Sequence, residues 1–236
     1  MIAEIGLNHN GDVDLALKMI EAAARSGAHC AKFQLFDSTH FINSGARLGD
    51  GEPGSLQSFF QSFELSADEW QRVTHACKEN RIDFLCSVFD EPSLDLYEKL
   101  GGTSVKIAST DLTCRPLLES VRKRKLGIYL STGASNADEI ERTVSWIGNP
   151  ELLFQCVSSY PANPEDYNLR TLTFWQQKYG CLTGISDHCM ELTLSLQMPA
   201  LGGVAIERHF TLDRNMEGPD HSISSTPEDF GSLRRQ

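Results

Sequence analysis

Eight short apolar runs, each followed by a stretch that can form a helix, set the tightest limit on what this chain can fold into. The runs lie at 1–7, 29–35, 82–88, 103–109, 126–132, 151–157, 181–186 and 203–209. They are rich in Val, Ile, Leu and Phe and are bounded by glycine or polar residues, as strands covered on both faces should be. In the first intervening stretch Leu15, Ile20 and Ala23 recur near the helical period, and Gly27 supplies a C-cap. Ser66 followed by Glu69 predicts a capping box, and Asn136 and Gly148 bracket another helix. Strand–helix units of this kind within 236 residues predict a parallel sheet closed into a (β/α)8 TIM barrel, one domain over 1–236. An open doubly wound sheet would carry G-x-G-x-x-G after its first strand, where this chain has GLNHNG. The one long connection, 36–65, is glycine-rich and is expected to form a flap facing a substrate.

Composition narrows the function. A formal net charge of −11 excludes a basic face broad enough for nucleic acid or an anionic membrane. No run approaches the roughly 20 apolar residues of a membrane span, and residues 1–20 contain no signal-peptide core. The seven cysteines form no C-x-x-C pair and read as buried free thiols of a reducing compartment. The expectation is a soluble, cytoplasmic protein.

In such a barrel the C-terminal ends of the strands converge on one mouth, where chemistry occurs. The polar residues collect there: Glu4, Asn8 and His9 from the first strand, Lys32 and Gln34 from the second, Ser87 from the third. Lys106, Ser109 and Asp111 follow from the fourth, Ser131 and Thr132 from the fifth, Ser158 and Tyr160 from the sixth. Ser186-Asp187-His188 ends the seventh strand and Glu207-Arg208-His209 the eighth. Two lysines with several hydroxyls describe an oxyanion site for a phosphate. The alternative is a salt bridge across the barrel, since an unpaired lysine in an apolar strand costs several kcal/mol. His188 and His209 end adjacent strands and could share one metal ion, with water, a carboxylate or substrate completing the shell. His29, His40 and His75 have no comparable partners and read as structural or exposed.

AEIGLNHNGD (3–12), AKFQ (31–34), VKIASTDLT (105–113), LSTG (130–133), CVSSYP (156–161), GISDH (184–188) and ERHFTLDRNMEGPDHSIS (207–224) resemble the sialic acid synthase family, in order and along the whole chain. That resemblance implies condensation of phosphoenolpyruvate with an N-acylated amino sugar of the N-acetylmannosamine type. The products would be a nonulosonic acid and phosphate, and Mn2+, or another divalent cation such as Mg2+ or Co2+, would assist. It implies phosphoenolpyruvate contacts for Lys32, Lys106, Ser109 and Ser131, with Ser87, Ser158, Ser186 and Gln34 around them. His188 and His209 match metal ligands, and Glu4, Tyr160 and Asp220 match residues around the sugar. Asp111 matches a Glu or Asp that handles a proton or positions water, so Glu4, Lys106 and Asp111 are the catalytic candidates. Gln155 replaces a frequent histidine and is expected to face away from the substrates. Ser158 replaces an asparagine of some relatives.

Full-length relatives continue into an antifreeze-like domain that completes the sugar site of a partner in a homodimer; this chain ends at Gln236. Two other readings remain open. One is condensation with a different, phosphorylated aldose, as in the 3-deoxy-sugar-acid synthases; the other is a non-catalytic barrel serving as an interaction subunit.

Overall fold

The structure, a computed structural model, describes residues 1–43, 45–47 and 55–235. Its elements run β1 (Ile2–Gly6), α1 (Val13–Ser26), β2 (Cys30–Leu35), α2 (Ser38–Phe41), α3 (Ser55–Gln61), α4 (Ala67–Glu79), β3 (Asp83–Val88) and α5 (Glu91–Lys99). They continue with β4 (Ser104–Ile107), α6 (Arg115–Lys123), β5 (Gly127–Ser131), α7 (Ala137–Ile147), β6 (Leu152–Cys156) and α8 (Arg170–Tyr179). The last are β7 (Leu182–Ser186), α9 (Thr193–Gln197), β8 (Ala205–His209) and α10 (Pro227–Arg235). The strands pair in parallel in sequence order, and β8 pairs β1 with Glu4 opposite His209, closing the barrel.

All eight expected strands form, four of them trimmed by a residue or two at each end and four at the N-terminal end alone. The largest difference is at 103–109: the strand ends at Ile107, and Ser109–Asp111 make one turn of 3-10 helix. In α1 the buried face is Val13, Ala16, Met19, Ile20 and Ala23, whereas Leu15 is only partly buried. Gly27 caps that helix in the left-handed conformation at φ 92°. The Ser66–Glu69 capping box forms, and a second one joins Asn136 and Glu139. Part of the expected flap, residues 44 and 48–54, lies outside the described residues. What is described of it, α2 and α3, packs Phe36, Phe41, Phe59, Phe60 and Phe63 into an aromatic cluster with Leu7 and Phe89. All seven cysteines are free, and no helix among the described residues is long and apolar enough to cross a membrane.

Strand alternation divides the interior into two environments. Outward residues such as Ala3, Ile5, Ala31, Phe33, Cys86, Val105, Ile107 and Leu130 pack under the helices in the main core. Ile2, Leu85, Leu152 and Phe154 form a separate apolar cluster, with Tyr129 and Ala205 packed against it. Ile2, Leu85, Tyr129, Phe154 and Ala205 are each two positions before Glu4, Ser87, Ser131, Cys156 and Glu207, so a polar layer sits directly on the apolar one.

Beyond β1 the chain turns through His9 and Gly11. A side chain on Gly11, at φ 72°, would collide with the Ser62 carbonyl. His9 is fully buried against Phe33 and Trp70, and its Nδ1 accepts from the Gly11 amide at 3.2 Å. Burial pushes its pKa down to about 4, with Asp12 opposing weakly. Between the unfolded value near 6.5 and that folded value, the unfolded chain binds more protons. The His9 contribution, about 3 kcal/mol, is therefore complete above pH ~6.5 and lost as pH falls toward 4. Denaturant titrations from pH 7 to 4 should give a shallower loss of stability for His9→Phe than for the unaltered chain; parallel curves would contradict this.

Candidate active site

Four charged side chains share the polar layer, each at most 5% exposed: Glu4, Lys32, Lys106 and Glu207. Lys32 Nζ lies 2.6 Å from Glu4 Oε2 and 3.8 Å from Glu207 Oε2, and donates to Ser87 Oγ at 3.1 Å. Lys106 Nζ lies 3.3 Å from Glu207 Oε1 and 5.1 Å above the centre of the Phe154 ring. Gln34 Nε2 donates to Glu4 Oε1 at 3.4 Å, and Ser186 Oγ donates to Glu207 Oε1 at 2.9 Å. Taking an ion this far from water costs several kcal/mol, so each lysine depends on its carboxylate.

The two lysines are not equivalent. Burial lowers both, but Glu207 and Glu4 together raise Lys32 above its ordinary value. Among the described residues Lys106 has Glu207 alone within salt-bridge distance and feels Lys32, so burial leaves it depressed. Burial would raise the Glu207 carboxyl, yet Lys106 and Lys32 outweigh it and hold the group well below the usual carboxylate range. Glu207 is a strand-end residue to which the sequence assigned no role. The signal was there: it stands two positions before His209, so both face inward on a strand.

The predicted serines divide into two groups. Ser87 and Ser186 belong to the charged layer. Ser109 and Ser158 surround Gly133, whose amide donates to Ser109 Oγ at 3.0 Å. A Cβ on Gly133 would collide with Ser158 Oγ and stand 2.8 Å from Ser109 Oγ, so a glycine keeps this cradle open. Ser131, at the end of β5, has a buried hydroxyl with no hydrogen-bond partner among the described residues. Asp111 lies on the turn after β4, where burial raises its pKa and Thr110 Oγ1 donates to it at 3.0 Å.

The ring centres of His188 and His209 are 5.6 Å apart. His188 Nδ1 lies 2.7 Å from the Val157 carbonyl and must donate to it, which leaves Nε2 with a lone pair. Ser186 is 3.4 Å from that nitrogen, but its single proton goes to Glu207. Burial, with His209 adding, lowers the His188 pKa to about 3, so the ring is neutral near pH 7. His209 Nδ1 is buried without a hydrogen bond, 3.7 Å from Asp220 Oδ2. A neutral imidazole with an open lone pair, beside a second ring whose buried Nδ1 has no hydrogen-bond partner among the described residues, fits a divalent transition metal. No group of three or more His, Cys, Asp or Glu among the described residues forms a closed metal shell, so other ligands would complete it. The Tyr160 ring, 55% exposed, lies 4.2 Å from the His188 ring and opens toward solvent.

The outward neighbours of the two histidines lock them in place. Asp187 and Arg208 form a fully buried ion pair. Ser195 Oγ donates to Asp187 at 2.6 Å, and Arg208 Nε donates to Ser225 Oγ at 2.8 Å. Asn8 is structural: its Nδ2 donates to the Phe210 carbonyl and to Ser224 Oγ, tying the β1 turn to the segment that bears Asp220. Gln155 faces away from the mouth, donating to the Tyr167 carbonyl at 2.9 Å. His29 is exposed against the chain's first amine, and His40 and His75 are exposed beside Asp37 and Glu79.

Residues 19–236 match the NeuB family. The N,N'-diacetyllegionaminic acid synthase of Campylobacter jejuni is 36% identical over 249 residues, covering all of this chain and 74% of that protein. The N-acetylneuraminate-9-phosphate synthase of Drosophila melanogaster is 34% identical, covering 99% of this chain and 65% of that one. Among solved structures, the N-acetylneuraminic acid synthetase of Leptospira borgpetersenii, in complex with citrate, superposes with a TM-score of 0.89. It is 35% identical, over 98% of this chain and 80% of that one.

The pairing makes Glu207 the group that keeps Lys106 a cation. Glu207→Gln preserves the contact with Ser186 but removes the charge, so Lys106 should titrate at a lower pH than in the unaltered protein. NMR of 13C-labelled lysine would follow this; an unmoved Lys106 would show that Glu207 does not sustain its charge.

Proposed function

The chain belongs to the NeuB family, and we propose that it condenses phosphoenolpyruvate with the open-chain aldehyde of an N-acylated amino sugar, releasing phosphate and a nonulosonic acid. One observation carries this reading: two buried lysines, a serine cradle and two facing histidines share one barrel mouth.

In this reading Ser109, Ser131, Ser158 and the space kept by Gly133 hold the phosphate, with Lys32 and Lys106 supplying positive charge. Gln34, Ser87 and Ser186 complete the polar surroundings of the enol. Glu4, Tyr160 and Asp220 line the sugar side, with carboxylates accepting from hydroxyls. His188 and His209 would hold Mn2+ or a similar divalent cation, which supplies Lewis-acid polarisation of a carbonyl oxygen.

The methylene carbon of phosphoenolpyruvate bonds to the aldehyde carbon, and positive charge develops at the carbon bearing the phosphate. Glu4 and Glu207 lie in the same layer and favour that charge. Water adds to this carbon, and the carbon–oxygen bond to phosphate then breaks. Of the two protons of that water, one ends on the former aldehyde oxygen and the other leaves with phosphate. Asp111, half-buried and with a raised pKa, is suited to pass such a proton. Holding two reactants against one another supplies much of the acceleration. The seven free thiols suit a reducing compartment such as the cytoplasm.

Phosphate release should require phosphoenolpyruvate, an N-acylmannosamine-type sugar and a divalent cation together. No release over a panel of such sugars and of aldose phosphates would sink the reading. His209→Ala should cut turnover by about 100-fold or more and abolish Mn2+ binding measured by electron paramagnetic resonance, with unchanged circular dichroism. Gly133→Ala should chiefly raise the KM for phosphoenolpyruvate; an unaltered KM would remove the cradle from the phosphate site.

A further inference from the structure

We propose that Tyr167 is a positioning residue for His188: its hydroxyl holds the His188 amide and so leaves the Val157 carbonyl to the imidazole, which keeps Nε2 open for a cation. The inference rests on the metal-binding part of the reading above and carries it to a residue of the β6–α8 connection.

The register of β6 against β7 sets the constraint. Cys156 stands opposite Ser186, and the Asp187 amide donates to the Glu207 carbonyl of β8 at 2.8 Å. Alternation therefore turns the His188 amide toward β6, where one more step of the parallel ladder would give it the Val157 carbonyl. The ring takes that carbonyl instead, with His188 Nδ1 2.7 Å from it. The amide donates to Tyr167 Oη at 2.8 Å, and Tyr167 Oη donates to the Ser186 carbonyl at 2.7 Å. One hydroxyl thus clamps both ends of the Ser186-Asp187-His188 turn. The His188 carbonyl accepts from the Ala162 amide at 3.0 Å.

Tyr167 can serve as a clamp because its own place is fixed. It follows a turn of 3-10 helix, Pro164–Asp166, and is fully buried in a cluster with Ala162, Leu172, Ile185, Leu194 and Met198. Its carbonyl accepts from Gln155 Nε2 at 2.9 Å, so β6 anchors the residue that reaches the end of β7. Without the hydroxyl, the amide would compete with the ring for the Val157 carbonyl, since a buried N–H left without an acceptor is costly. A ring that loses this acceptor can carry its proton on Nε2, which closes the lone pair a metal needs.

Tyr167→Phe keeps the ring in its core and removes only the hydroxyl. In 15N NMR of histidine-labelled protein at pH 7 without metal, His188 should carry its proton on Nδ1 in the unaltered chain and on either nitrogen in the variant. The Kd for Mn2+, measured by electron paramagnetic resonance, should rise about tenfold or more in the variant. Leu172→Ala, which disturbs the same core but not the hydroxyl, should leave tautomer and Kd unchanged. An unmoved tautomer or an unmoved Kd in Tyr167→Phe overturns the inference, and so does an equal rise in Kd for Leu172→Ala. If Tyr167→Phe does not fold, the unaltered protein decides: a proton on Nε2 of His188, or rapid hydrogen exchange of its amide, overturns the inference, and Nδ1 protonation with slow exchange upholds it. If the unaltered protein binds no Mn2+, the metal reading fails, and the tautomer change in Tyr167→Phe alone decides the inference.

Discussion

A balanced set of four buried charges governs this barrel. Lys32 and Lys106 stand where water cannot solvate them, and Glu4 and Glu207 are the groups that make their charges tolerable. Either lysine alone would neutralise or destabilise the strand that carries it. Because the four charges cancel, the barrel can be closed and packed and still hold two cations in its interior.

The remaining architecture supports that layer from below and from outside. Below it, Ile2, Leu85, Leu152 and Phe154 form an apolar floor, and the Phe154 ring offers its face to Lys106. Outside it, the Asp187–Arg208 pair joins the ends of β7 and β8, so that His188 and His209 present their rings to each other. Each outward residue adjoins an inward functional one, and pleating makes the two tasks separable. The hydrogen bond from His188 to Val157 adds a chemical constraint, because it settles which ring nitrogen keeps its lone pair.

The family match and the site make complementary statements. Membership in the NeuB family rests on a match over 19–236 and on relatives that align along nearly the whole chain. The site adds what similarity does not resolve: an uneven pair of lysines and an open serine cradle.

Much of this was legible in the sequence because it depends on local order. Apolar runs separated by capped helices dictate a closed parallel barrel, and Lys32, Lys106, His188 and His209 fall within or just beyond its strands by counting alone. The length of the fourth strand was not legible, since Ser109–Asp111 can extend or turn and the turn wins next to the mouth. Nor were the partnerships. That Glu207 serves two lysines and that Asn8 is a structural tie depend on segments far apart in sequence meeting in the closed barrel, and that Asp187 faces Arg208 depends on the register of β7 against β8. The sequence by itself determined which side chains point inward, because alternation is a property of each strand. Only the tertiary structure decided which charges pair and which stay available, because that depends on closure bringing β1, β2, β4 and β8 around one axis.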